Sequence, residues 1–123
     1  MYEWLDEYLL NKPGAHKDYK AEWGWFRYLI REKMLCTPDE KHGEYGGHTL
    51  LQLKCAPDAA EILRLTYTDI RPGFYCDKRN WNSVFLDGCV PDDVMRTMCD
   101  NSYALVLAGF SKKKRAELLG ADV

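Results

Sequence analysis

The 123-residue sequence contains no stretch approaching the roughly 18 consecutive apolar residues that a membrane-spanning helix requires. Its beginning, MYEWLDEYLLNKPG, mixes acids with apolar residues and has no basic leader, long apolar segment or small-residue cleavage site, so no secretory signal is expected. The five cysteines, Cys36, Cys55, Cys76, Cys89 and Cys99, are odd in number and contain no CxxC or CxH pair. That argues against a disulfide framework and against common zinc sites. Reduced thiols in a cytoplasmic chain are the expectation, with Cys76, between Tyr75 and Asp77, the one to test for reactivity.

Catalytic signatures are also missing. His16, His42 and His48 are scattered, and HExxH, GxSxG, GxxxxGK[ST] and GxGxxG are all absent. The acids Asp92-Asp93 and Asp58-Glu61 read as helix-start residues that complement the backbone dipole, not as an acid/base pair. A protein that is not an enzyme, with no cofactor and no metal, is expected. Nor is there a surplus of positive charge: 17 Lys and Arg face 19 Asp and Glu, a net charge of −2, so binding to nucleic acid would need a local basic patch.

What is present is a core-forming composition, 46% hydrophobic and 13% aromatic, at the usual length of one domain, here expected to span residues 1–123. Trp4, Leu5, Tyr8 and Leu9 have helical spacing within residues 2–11, and Pro13-Gly14 ends that pattern. From Trp23 to Thr37 the sequence becomes strand-prone and is broken by Arg31-Glu32-Lys33, which predicts a hairpin. Residues 38–47, PDEKHGEYGG, read as an exposed loop and HTLLQLK as a further strand. APDAAEILRLTY predicts a helix with Pro in its first turn and Ile62, Leu63 and Thr66 on one face.

VPDDVMRTMCDNSYALVLAG predicts a long helix ending at Gly109, with an apolar stripe of Val94, Met95, Met98, Ser102, Leu105 and Val106. Ser111 is placed to cap a final short helix, KKKRAELLG. Segregated strands and helices in this order imply an α+β fold, a mostly antiparallel sheet with helices packed on it.

Three stretches could carry a surface function. In DIRPGFYCDKRNWNSVFLDG, Arg71-Pro72-Gly73-Phe74 has the residues of a type II turn. Beyond it Lys78 and Arg79 lead into an alternating strand headed by Trp81, with Val84 and Leu86 facing one way and Ser83 and Phe85 the other. Arg71, Lys78 and Arg79 with Tyr75 or Trp81 form a candidate phosphate-gripping, aromatic surface. The alternative is a core Trp81 with the cations solvated or paired to Asp69, Asp77 and Asp87. In SKKKRAE, Lys112, Lys113, Lys114 and Arg115 occupy the start of a helix, where the dipole disfavours cations, so they either hold an anion or form a solvated patch. The run WGWFRY sets Trp23, Trp25, Arg27 and Leu29 on one strand face and Phe26, Tyr28 and Ile30 on the other; one face builds core, and the other is covered by a helix or left as a binding face.

Three segments, NKPGAHKDY, LQLKCAPDAAEILRLTYTDIRPGFYCDKRNWNSVFLDGCVPDD and SYALVLAGFSKKKR, resemble the MmcQ/YjbR family in order and spacing. DIRPG, Lys78, Trp81 and LDG followed by Pro91 are the most specific part. The resemblance implies an α+β fold of the CyaY-like or secretion-chaperone-like type. It also implies a double-wing surface for double-stranded DNA like that of the MotA C-terminal domain. The matching positions are Arg71, Pro72, Gly73, Lys78, Trp81, Leu86, Asp87 and Gly88, with the basic run Lys112–Arg115 near the C-terminus. The loop at 39–47 looks longer than the family's usual connection, and its acids Asp39, Glu40 and Glu44 would repel phosphate if it forms a wing tip. A different class of function, docking a protein partner or a second copy through the aromatic sheet face or through Met95 and Met98, fits the same sequence.

Overall fold

The structure is a computed structural model that describes residues 2–21, 25–31, 33–39, 50–73 and 78–119. Its elements are α1 (Leu5–Leu10), β1 (Ala15–Lys20), β2 (Trp25–Ile30), β3 (Lys33–Asp39), β4 (Leu50–Lys54), α2 (Pro57–Thr66), β5 (Ile70–Pro72), β6 (Trp81–Phe85), α3 (Asp92–Ala108) and α4 (Lys112–Leu118). The six strands form one antiparallel sheet in the order β1-β2-β3-β4-β6-β5. The α+β class with a mostly antiparallel sheet is therefore as the sequence predicts. No described helix is long and apolar enough to cross a membrane.

Core formation follows the strand alternation. Tyr28 and Ile30 of β2, Leu51 and Leu53 of β4, Ile70 of β5 and Val84 of β6 are buried and belong to one cluster with Met95, Met98, Cys99, Tyr103 and Val106 of α3. Every position of the predicted α3 stripe lies inward or half-buried, and Ser102 is buried with it. The opposite face also excludes water at its centre, where Leu29, Leu50, Gln52, Ser83 and Phe85 are buried outside that cluster.

The β2–β3 hairpin turns at Arg31, whose φ of +52° is left-handed, the conformation that primed hairpin turns require. The predicted cap of α4 is present: Lys114 N–H donates to Ser111 Oγ at 3.2 Å.

Four expectations change. β1 was not foreseen, because AHKDYK has no apolar alternation; it is an edge strand whose side chains are tied to neighbours by charge, with Arg27 donating to both Asp18 oxygens at 2.9 and 2.5 Å. The inward face of α2 keeps only Leu63 of Ile62, Leu63 and Thr66: Leu63 packs half-buried against the core, Ile62 is 63% exposed and Thr66 is exposed, while Ala60 is buried and Arg64 reaches the sheet. A small residue lets the helix approach closely, and an arginine bond replaces an apolar contact. Pro38 and Asp39, expected in a loop, end β3 instead. Pro72 ends β5, and Gly73 N–H donates to the Trp81 carbonyl at 2.9 Å, so the Pro-Gly pair extends the sheet edge and not a type II corner. An edge strand tolerates proline because its missing donor faces no neighbour. The remaining loop residues 40–47 and Tyr75, Cys76 and Asp77 lie outside the described residues, as does Trp23.

Candidate anion-binding end of the sheet

The strand register sorts the charged residues by position along the strands. Ala15 pairs with Ile30, Ile30 with Lys33, Lys54 with Trp81, and Pro72 with Asn82, so all of these stand at one end of the sheet. Arg31 and the turn residues Lys78 and Arg79 belong to the same end by adjacency in the chain. At the other end Asp39 and Phe85 flank Leu50, followed by Asp69, Asp87 and the α3 start with Asp92 and Asp93. One end is thus rich in cations, and the other carries these carboxylates with Lys20 of β1, although the chain as a whole carries −2. A modest net charge conceals a marked separation.

The last helix adds to the basic end. α4 lies against the start of β1 and the β2–β3 turn: a Cβ on Gly14 would come within 2.6 Å of Leu118, and Arg31 pairs with Glu117 at 3.3 Å. Lys112, Lys113 and Lys114 are exposed and Arg115 is half-buried. Lys33 links this helix to the sheet. Its ammonium donates to the Gly109 carbonyl at 2.7 Å and sits 4.6 Å from the Phe110 ring centre, satisfying the electronegative C-terminus of α3. Lys33, Met34, Lys54, Trp81, Leu105, Val106 and Gly109 enclose a cavity of about 370 Å³ at this end.

Two arms of cations therefore flank the cavity: the 78–79 turn beside β6, and α4 beside β1, β2 and β3. The β2–β6 separation is three strand spacings, or about 14 Å. Lys78, Arg79, Trp81 and Lys112–Arg115 share this end. Arg71 does not join them, because its Nε donates to the Thr68 carbonyl at 2.7 Å and its guanidinium lies 5.5 Å from the Phe85 ring, toward the acidic end. Tyr75 lies outside the described residues.

Sequence reading passed over Arg31, Lys33 and Lys54, since each looks like an ordinary turn or strand-end charge until the register aligns them. It also passed over Arg64, which shapes the turn carrying Lys78 and Arg79. Arg64 Nε donates to Asn82 Oδ1 at 2.6 Å, and its Nη2 donates to the carbonyls of Lys78 and Trp81. A charge one turn after buried Ala60, on the helix stripe facing the sheet, was the available signal.

The distinctive DIRPG and LDG residues have structural work to do. Asp69 accepts from Cys89 N–H at 2.7 Å, the Asp69 carbonyl accepts from Phe85 N–H at 2.9 Å, and a Cβ on Gly88 would stand 2.5 Å from Asp69 Oδ2. The two motifs thus close on one another beside the β5–β6 pair, and glycine is needed where they touch. Burial pushes the Cys99 thiol up to about 12, so it is not a nucleophile at neutral pH.

Known proteins resemble this chain along most of its length. "Uncharacterized protein YjbR" of Escherichia coli strain K12 is 28% identical over 115 residues, 94% of each chain. "Uncharacterized protein YyaQ" of Bacillus subtilis strain 168 is 29% identical over 104 residues, 85% of this chain and 81% of that one. Among solved structures, a Deinococcus radiodurans protein described as a DUF419 domain superposes with a TM-score of 0.79 at 27% identity, covering 93% of this chain and 84% of that one. A Pseudomonas syringae protein shares the fold at TM-score 0.68 and 22% identity, over 86% of this chain and 99% of that one. The YjbR family model matches residues 10–105, from the end of α1 through most of α3, and the chain belongs to the YjbR family.

Proposed function

We propose that this protein is a non-catalytic binding domain that engages the phosphate backbone of double-stranded DNA weakly, in the cytoplasm, through the basic end of its sheet. The observation that supports this reading is the alignment of Arg31, Lys33, Lys54, Lys78 and Arg79 at one sheet end, where the helix carrying Lys112–Arg115 meets the β1 start and the β2–β3 turn through Leu118 and Glu117. A row of cations about 14 Å across matches the scale of the roughly 12 Å major groove better than that of a small anion. Phosphate contacts of this kind position a protein without reading bases, so low sequence preference follows. The carboxylates at the far end orient the approach, because a duplex is repelled there and attracted here.

The test is fluorescence anisotropy with a duplex of about 20 base pairs across roughly 50–200 mM salt. Affinity should fall with a log–log slope of about −0.9 for each phosphate contacted. Lys78→Gln with Arg79→Gln should flatten that slope by about 2, and Arg71→Gln should leave it unchanged. No binding at the lowest salt, or equal slopes in all three proteins, overturns the proposal.

A second reading, docking of a protein or a second copy through the aromatic sheet face, is favoured by one feature. Tyr19 of edge strand β1 and Phe26 of β2 pack edge to face at 5.1 Å and remain 55% and 46% exposed. A doubled solution mass that Tyr19→Ser abolishes would support it.

A further inference from the structure

The antiparallel pair α2 and α3 leaves a furrow between them, remote in character from the basic end. One part, about 350 Å³, is lined by Ala59, Ile62, Leu63 and Tyr67 of the α2 side and by Asp93, Val94, Thr97, Met98 and Asn101 of α3. The next part, about 270 Å³, shares Ala59 and Asn101 and continues along Ala56, Ala104 and Leu105 to Cys55. The two parts therefore form one continuous trough. It follows the ten-residue α2, a length of about 15 Å at 1.5 Å per residue.

Its lining is largely apolar, and Ile62 is the large, mostly exposed side chain on its α2 wall. Ile62 is 63% exposed and Leu65, on the outer side of the same helix, is 81% exposed. Two such residues a turn apart on a short helix go beyond scattered surface leucines. The charge around the trough is of one sign. Asp93 lines it, Asp58 stands one turn before Ile62 on the same row of α2, and no Lys or Arg lines either part. The nearest arginine on α2, Arg64, is turned to the sheet and bound to Asn82.

We infer that this trough is a docking groove for a basic amphipathic helix of a protein partner. A trough of about 15 Å holds roughly three helical turns, so the partner would present apolar anchors at i, i+3, i+4 and i+7. Its lysines or arginines would meet Asp93 in the lining and Asp58 at the rim. Charge separates this occupant from a second copy docked two-fold on α2, which would set Asp58 and Glu61 against their own equivalents. It also separates it from nucleic acid, which the rim repels.

The test uses the full chain, isotopically labelled, titrated with a synthetic peptide of about 18 residues built from leucine and lysine at helical spacing. Amide shifts should concentrate in residues 55–67 and 93–105 and spare the turn at Lys78 and the helix α4. The same peptide with every lysine replaced by glutamate should produce no shifts. Because Ile62 is largely exposed, Ile62→Asp should fold normally and weaken the lysine peptide about tenfold or more. Asp58→Lys with Asp93→Lys should weaken it severalfold and admit the glutamate peptide. Shifts spread over the whole surface, equal binding of both peptides, or full affinity in Ile62→Asp would overturn the inference. So would concentration-dependent dimerisation at the same amides, which would assign the trough to a second copy. None of these outcomes depends on whether DNA binds the basic end.

Discussion

Removing the Arg64 guanidinium should destabilise the protein by about 2–4 kcal/mol, a large share of the ~5–15 kcal/mol that holds a domain of this size together. The magnitude follows from what each partner loses. Asn82 Oδ1 belongs to a residue only 1% exposed, so without Arg64 it becomes a buried acceptor with its 2.6 Å bond gone. Leaving such a group unsatisfied costs about 1–3 kcal/mol. The Lys78 and Trp81 carbonyls lie nearer the surface and regain water, so they add about 1 kcal/mol together. The Asn82 Nδ2 donates to the Ala60 carbonyl at 3.4 Å, which satisfies a donor and leaves the Oδ1 acceptor unmet. The assay is urea unfolding of Arg64→Ala, Asn82→Ala and the double variant, with the m-value checked for constancy. The double variant should lose less than the sum of the singles, with a coupling of about 1–2 kcal/mol, because the second substitution removes an acceptor already orphaned. Additive losses, or an Arg64→Ala cost below about 1 kcal/mol, would refute the view that Arg64 fastens α2 to the 78–81 turn. Duplex affinity offers an independent readout: Arg64→Ala should weaken it because the Lys78 and Trp81 carbonyls lose the bonds that hold the turn.

Two further outcomes are specific. Gly14→Ala should lower stability by about 1–2 kcal/mol in the same urea assay, since Gly14 has φ of +79° and its new methyl would meet Leu118; a neutral result would mean α4 is not seated on that turn. Acid should destabilise the fold through Asp6 and Asp100. The Tyr28 and Lys17 bonds hold Asp6 below the usual carboxylate range, and at Asp100 the Lys12 and Tyr8 bonds outweigh the upward push of burial. A carboxylate whose folded pKa is depressed contributes stability that is present above its unfolded value, near pH 4, and lost as pH falls through the folded value. The melting temperature should therefore hold from neutrality to about pH 5 and drop below about pH 4, and Asp6→Asn with Asp100→Asn should shrink that drop. An unchanged acid limb in the double variant would contradict this.

Much of the architecture was legible because its signals are local. The α3 stripe, the Ser111 cap, the β2–β3 hairpin and the alternation of β6 each arise from spacing or turn chemistry within a few residues. β1 was illegible for the converse reason: AHKDYK is a strand because β2 offers its edge and Arg27 holds Asp18, and neither condition is written in those six residues. The orientation of α2 depended on Asn82, eighteen residues past Arg64, which turns the arginine inward and leaves Ile62 and Leu65 outside. Of the candidate site, Lys78, Arg79, Trp81 and Lys112–Arg115 were found as two separate basic stretches, and Arg71 was grouped with them by proximity in the chain and by the family resemblance.

Composition, periodicity and capping residues were enough to specify an antiparallel α+β domain, because hydrophobic spacing and turn geometry act over short range. Which charges stand together was decided by the tertiary structure. Lys33, Lys54, Lys78 and the α4 cations are far apart in sequence and come to one end of the sheet through strand register and the seating of α4 by Glu117 and Leu118. Register is a long-range property, and a shift of one residue in β3 or β4 would send Lys33 or Lys54 to the opposite face.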